Sequence, residues 1–130
     1  MIVYLDTSVI LSRFLGENNA LSSWGNWEKS FTSLLTRVEF LRTIDRMRLE
    51  GRIDDPERVA LHQQFNLLWE AMYRIPISSP ILGRAADPFP TVLGTLDALH
   101  LASALAVVPS LGAPLVFQTH DLQLGRGAEA

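Results

Sequence analysis

An α/β sandwich built around a central, mostly parallel sheet is the fold this sequence predicts, and three observations predict it. Short apolar runs at 2–5, 75–78 and 114–118, with a briefer strand-like piece at Phe31–Ser33, alternate with longer segments of helical periodicity. That alternation is how parallel sheets are assembled. The first and last runs each lead into an aspartate, Asp6 and Asp121, and in a parallel sheet the carboxyl ends of the strands share one edge. Finally, 130 residues with 48% hydrophobic and 19% charged content suffice for one core and are too apolar for a disordered chain. The expectation is a single domain over residues 1–130.

Taken in order, residues 2–5 form the first strand. In "SVILSRFLGE" (8–17), Val9, Ile10, Phe14 and Leu15 fall at helical spacing and Gly16 is the expected stop. "NNALSSWGNWE" reads equally as a loop or one short helix. After Phe31–Ser33 the apolar residues Leu34, Val38, Leu41 and Ile44 recur at helical intervals until Gly51. "DDPERVALHQQFNLLWEAMYR" has a helix start, with Asp54 or Asp55 as cap and Pro56 in the first turn. Its expected apolar stripe is Val59, Leu61, Phe65, Leu68 and Met72. "IPIS" (75–78) is the next expected strand, and Pro76 marks it as an edge or a strand start. "SPILGRAAD" predicts one short helix, and "PFPTVLGT" a proline- and glycine-rich loop suited to a mobile connection. "LDALHLASALAVV" (96–108) predicts a buried helix, and 114–118 the last strand. There is no internal repeat, low-complexity segment or interdomain linker.

Several classes are excluded by composition. Without cysteine there are no disulfides and no thiolate metal sites, which fits a reducing cytosol. No apolar run reaches membrane-spanning length and no basic segment precedes an apolar stretch at the start, so the expectation is a cytoplasmic protein with no membrane partner. A formal net charge of −3 gives no whole-molecule field for nucleic acid. One stretch is locally basic: Arg37, Arg42, Arg46, Arg48 and Arg52 stand against Glu39, Asp45 and Glu50. Carboxylates at helical spacing make most of it a solvated, ion-paired face.

Four acids stand out: Asp6, Glu39, Asp97 and Asp121. Each has a local reading. Asp6, Asp97 and Asp121 suit helix caps or first turns, and Glu39 suits an exposed face paired with Arg37 or Arg42. Together they come from four separate regions, near element ends or inside apolar sequence. Converging carboxylates repel unless a cation sits among them. In the absence of cysteine and of a paired-histidine motif, hard oxygen ligands favour Mg²⁺ or Mn²⁺ over Zn²⁺. Such a centre suits phosphodiester hydrolysis.

The ordered set "LDTSV", "LLTRVEFLR", "TLDALHLASA" and "FQTHD" resembles the PIN-domain family, above all the VapC-type toxins of prokaryotic toxin–antitoxin pairs. The resemblance spans nearly the whole chain, and "LDALHLASA" with the later Thr-x-Asp is its most telling part. It implies a metal-dependent endoribonuclease on a three-layer α/β/α sandwich, leaving a 5′-phosphate and a 3′-hydroxyl. Only "LQLGRGAEA" follows "THD", so the resemblance leaves either a sheet one strand short or a truncated end. Asp6, Glu39, Asp97 and Asp121 match the family's four acids in order. Asp6 and Asp97 would be the principal Mg²⁺ (or Mn²⁺) ligands, with Glu39 and Asp121 completing the catalytic cluster. Thr119 matches a small hydroxyl position that holds a metal-bound carboxylate; Ser8 or Thr7 would do likewise or cap the first helix.

Arg42 is a candidate RNA phosphate contact, or else a salt-bridge partner of Glu39. His100 reads as a core or dimer-face histidine bonded to a backbone carbonyl. His62 and His120 have no partner at metal spacing. Trp24, Trp27 and Trp69 suit burial or protein contact more than base stacking. The resemblance implies an RNA substrate, a small antitoxin lying across surface from 9–27 and 53–73, and a homodimer or toxin–antitoxin hetero-oligomer. Two rivals remain. A phosphatase with Asp6 as nucleophile is weak, because Ser8 stands where a second aspartate belongs and Lys29 is the only lysine. A catalytically inactive PIN-like binding module ranks below the nuclease because all four acids are present.

Overall fold

The computed structural model describes residues 1–16, 24–120 and 128. Four strands, β1 (Ile2–Leu5), β2 (Lys29–Ser33), β3 (Tyr73–Ile75) and β4 (Leu115–Gln118), form one sheet in the order β3-β2-β1-β4. Every pairing is parallel. In register, Val3 of β1 lies between Ser30 of β2 and Val116 of β4, and Phe31 of β2 pairs with Tyr73 of β3. Five helices accompany the strands among the described residues: α1 (Thr7–Phe14), α2 (Leu35–Leu49), α3 (Asp55–Ala71), α4 (Ser79–Ala86) and α5 (Thr95–Leu111).

β1 is buried along its whole length, as a central parallel strand must be when helices cover both faces. Successive side chains alternate between those faces. Val3 and Leu5 join Val9, Ile10, Phe40, Ile44, Phe65, Trp69 and Met72 in one core cluster, formed with α1, α2 and α3. Tyr4 points the other way and packs with Ile75, Ile81, Ala102 and Ala104, under α4 and α5. The result is the expected three-layer α/β/α arrangement.

Local sequence explains most boundaries. Asp6 caps α1 from an extended backbone, and Gly16 follows that helix at φ +66°. α3 starts with a capping box: the Glu57 N–H donates to Asp54 Oδ1 at 2.8 Å and the Asp54 N–H to Glu57 Oε1 at 3.2 Å. α5 closes at Gly112, whose φ of +63° suits a residue without a side chain.

Three expectations need correction. The third strand is Tyr73–Ile75, not 75–78. Pro76 has no N–H to extend the ladder, and the last carbonyl, of Ile75, is taken by the Leu34 N–H at 3.0 Å. On α2 the buried stripe is Thr36, Phe40, Ile44 and Met47, while Leu34 and Val38 are 45% and 57% exposed. A buried polar contact sets this rotation. Thr36 Oγ1 of α2 lies 2.6 Å from Thr32 Oγ1 of β2, which donates to the Leu5 carbonyl of β1 at 2.8 Å. On α3, Val59 is exposed, whereas Phe65 and Trp69 are buried. The rings of Phe40, Phe65 and Trp69 stack in series, with centroids 4.4 Å and 5.6 Å apart. Trp24 and Trp27 also pack against this cluster, in keeping with burial of the tryptophans. α5 runs beyond Val108 through Pro109. Among the described residues no helix is long and apolar enough to cross a membrane.

Candidate active site

The carboxyl ends of β1, β2 and β4 lie on one edge of the sheet, and the segments that leave them carry polar residues. Beyond β1 come Asp6, Thr7 and Ser8; beyond β2 the chain enters α2, which carries Glu39; beyond β4 comes Thr119. α5 leads into β4, so its first turn, with Asp97, returns to this same edge.

Asp6 is 5% exposed, and both its oxygens are engaged. Oδ1 accepts the Ser8 N–H at 2.5 Å, the capping bond of α1, and Oδ2 accepts the Thr119 hydroxyl. The Asp6 N–H in turn donates to the Gln118 carbonyl at 3.2 Å. Helix cap and site residue are thus one and the same. No arginine, lysine or histidine among the described residues forms an ion pair with Asp6. A buried carboxylate in that state is costly without a compensating cation. Ser8 contributes twice: its N–H to Asp6, and its hydroxyl as acceptor of the His120 N–H at 3.1 Å. His120 therefore belongs to this edge through its backbone.

Glu39 sits in a different arrangement from either partner expected of it. Its Oε1 accepts the Thr7 hydroxyl at 2.7 Å and lies 2.5 Å from His100 Nε2. Arg42 turns instead to Asp45, at 3.2 Å, so the helical salt bridge to Glu39 does not form. Burial pushes the Glu39 carboxyl up, but the hydrogen bond from His100, that residue's charge and the Thr7 hydroxyl more than reverse this and hold it below its ordinary value.

His100 corrects a second expectation. It is buried at 2% exposure, yet among the described residues its ring bonds side chains rather than a backbone carbonyl. Its Nδ1 lies 2.7 Å from the Tyr4 hydroxyl, and its ring meets Tyr4 edge-on at 5.9 Å. Tyr4 is itself stacked on Phe117 at 5.1 Å. Burial, then the negative charges of Asp6 and Glu39, drive the Tyr4 phenol well above its ordinary pKa. Nε2–H donates to the Glu39 carboxylate, and Nδ1 shares a hydrogen bond with the Tyr4 hydroxyl.

Of the residues expected at the site, Asp6, Ser8 and Thr119 are hydrogen-bonded together, and Glu39 joins them through Thr7, the neighbour of Asp6. Asp97 is half-buried in the first turn of α5, one turn before His100. Asp121 lies outside the described residues. Sequence reasoning missed Tyr4, and it read His100 as a core histidine without its link to Glu39. The signal was their setting: a phenol in the central strand and an imidazole in an apolar helix both need buried partners.

Among the described residues no group of three or more His, Asp or Glu side chains is gathered to hold a metal ion by itself. The donor chemistry still fits one. Mg²⁺ is commonly held by one or two carboxylates with water and substrate oxygens completing its shell, and the uncompensated Asp6 carboxylate is such a ligand. Among the described residues the side chains do not form a complete protein cage.

Comparison with known proteins gives consistent results. The family model for the PIN domain matches residues 3–126. The chain is 30% identical to Ribonuclease VapC47 of Mycobacterium tuberculosis, over 96% of this chain and 88% of that protein. FitAcB from Neisseria gonorrhoeae superposes with a TM-score of 0.68 at 18% identity, covering 100% of this chain and 94% of that one. A toxin–antitoxin complex from Klebsiella pneumoniae gives 0.60 at 20% identity, covering 88% and 95%. VapBC2 from Rickettsia felis, solved bound to a DNA fragment from its promoter, gives 0.60 at 13% identity, covering 93% and 100%.

Proposed function

The chain belongs to the PIN-domain family, and from that premise we propose that it is a metal-dependent endoribonuclease, the toxin of a toxin–antitoxin pair. One observation carries the chemical part of this reading: at the carboxyl edge of the sheet stands a buried carboxylate, Asp6, with two hydrogen-bond donors fixing it and no cation among the described residues to balance it. The 30% identity to a named ribonuclease over nearly the whole chain supports RNA as substrate.

Asp6 and Asp97 would hold Mg²⁺ or Mn²⁺, with Glu39 and Asp121 completing the cluster. The ion, when bound, neutralises phosphate charge and lowers the pKa of water at the scissile bond. The chain's own residues do the rest. Thr119 and the Ser8 N–H orient the two oxygens of Asp6, and Thr7 restrains Glu39. Arg42 is 68% exposed on the same helix as Glu39 but is engaged by Asp45, so phosphate contact there requires exchange of that ion pair. The likeness to toxin–antitoxin assemblies supports a small antitoxin partner, with a homodimer or hetero-oligomer as the resting form.

The test is incubation of the purified chain with labelled RNA in Mg²⁺ or Mn²⁺, then with EDTA, beside Asp6→Asn and Asp97→Asn. Metal-dependent cleavage lost in both variants is the expected result. Equal cleavage in the variants would overturn the assigned site. Metal-independent binding of RNA without cleavage would favour the inactive module.

A further inference from the structure

We propose that His100, held from behind by Tyr4, is a positioning residue that locks the Glu39 carboxylate through Oε1 and thereby presents Oε2 to the reaction. The inference rests on the nuclease reading of this edge but adds to it two residues that the acidic cluster does not contain.

The geometry is directional. Glu39 projects from α2, His100 from α5 and Tyr4 from β1, so the chain of contacts crosses from one helical layer, past the central strand, to the other. His100 is 2% exposed and Glu39 22% exposed. The anchored end is therefore inside the core and the carboxylate end reaches solvent. Both donors, Thr7 Oγ1 and His100 Nε2, fall on the same oxygen, Oε1. Among the described residues, none bonds Oε2. A glutamate has several rotatable bonds, and two donors on one oxygen select a single orientation out of them. His100 is kept from turning by the Tyr4 hydroxyl on Nδ1, and Tyr4 by its stack on Phe117. This is the arrangement in which groups behind a ligand fix its orientation and its protonation state.

The arrangement also places a proton on Nε2 of the imidazole. A carboxylate can only accept, so Nε2 carries a proton, while Nδ1 faces the Tyr4 hydroxyl, a group that can either donate or accept. This is readable without any catalytic assay.

The test uses the full chain with Mn²⁺ alone as the metal probe and labelled RNA as substrate, in wild type, His100→Gln, His100→Leu and Tyr4→Phe. ¹⁵N NMR of the wild-type imidazole is expected to show the Nε2–H form. His100→Leu is expected to weaken Mn²⁺ binding and lower kcat by about 10- to 100-fold, with little change in the KM for RNA. His100→Gln, whose amide still offers an N–H toward Oε1, recovers most of both, and Tyr4→Phe falls between. An Nδ1–H tautomer, or His100→Gln as impaired as His100→Leu at an unchanged melting temperature, would overturn the positioning role. Wild-type Mn²⁺ binding and kcat in His100→Leu would do the same. A wild-type chain that cuts no RNA would instead overturn the nuclease reading. In that event the tautomer and the Glu39 ¹³Cδ signal, shifted in His100→Leu and restored in His100→Gln, still judge the locking of Glu39.

Discussion

The Thr119 hydroxyl donates to Asp6 Oδ2, joining two residues 113 positions apart in the chain. β4 lies beside β1 in the sheet, so the first residue past one strand meets the first past the other. Replacing Thr119 by Val keeps the shape and removes the donor. Cleavage by Thr119→Val is expected to fall about 10- to 100-fold, while Thr119→Ser retains most activity. The check is a time course on labelled RNA, and equal rates for Val and Ser would count against the role of this hydroxyl.

Asp6→Asn separates the two tasks of that residue. Asparagine caps helices about as well as aspartate, so α1 keeps its start and the melting temperature stays within a few degrees. The negative charge is gone, so Mn²⁺ affinity and RNA cleavage are expected to drop by at least about 100-fold. Calorimetric Mn²⁺ titration beside a thermal melt reads both. A large loss of melting temperature with retained Mn²⁺ binding would reverse the assignment.

Tyr4 predicts an alkaline weakness. Its folded pKa is raised, so below about pH 10, the ordinary tyrosine value, both folded and unfolded phenols are neutral and its contribution is intact. Above that pH the unfolded chain loses the proton while the folded one keeps it, and stability falls as pH rises toward the folded pKa. Urea unfolding between pH 8 and pH 11 should show this decline in wild type and a shallower one in Tyr4→Phe. The variant starts lower, by about 1–3 kcal/mol, because His100 Nδ1 loses its partner. Parallel declines in the two proteins would rule the mechanism out.

Phe40 tests the rotation of α2. It is fully buried, stacked on Phe65 and edge-on to Phe14 at 5.8 Å. Phe40→Ala should cost about 3–5 kcal/mol, whereas Val38→Ala, two residues earlier and largely exposed, should change stability by less than about 0.5 kcal/mol. Chemical denaturation of the two variants decides it. The reverse order would restore the stripe expected from periodicity.

That contrast shows what the sequence could and could not disclose. β1, α1 and β4 were legible because apolar runs flanked by caps and glycines leave few alternatives. The stripe on α2 was misread because Thr36 is polar by composition but buried by its bond to Thr32, a contact between elements that no periodicity encodes. β3 was displaced because Tyr73 and Arg74 lie on an edge strand and are exposed, so they lack the apolar signature of a strand. At the site, Asp6 and Thr119 were legible as polar residues just beyond strand ends. The partners of Glu39 were not, because the salt bridges suggested by spacing within one helix lost to His100, 61 residues away. A histidine on an apolar helix gives no hint of which distant carboxylate it will meet.

The position of β4 beside β1 carries a consequence for synthesis. During translation Asp6, Glu39 and Asp97 emerge before Leu115, and until β4 threads in next to β1, Asp6 lacks the hydroxyl that orients it. Closure between such remote segments is slow compared with local helix formation. A ribosome-bound chain halted ahead of β4 is thus an unassembled nuclease, in which Asp6 still lacks the Thr119 hydroxyl.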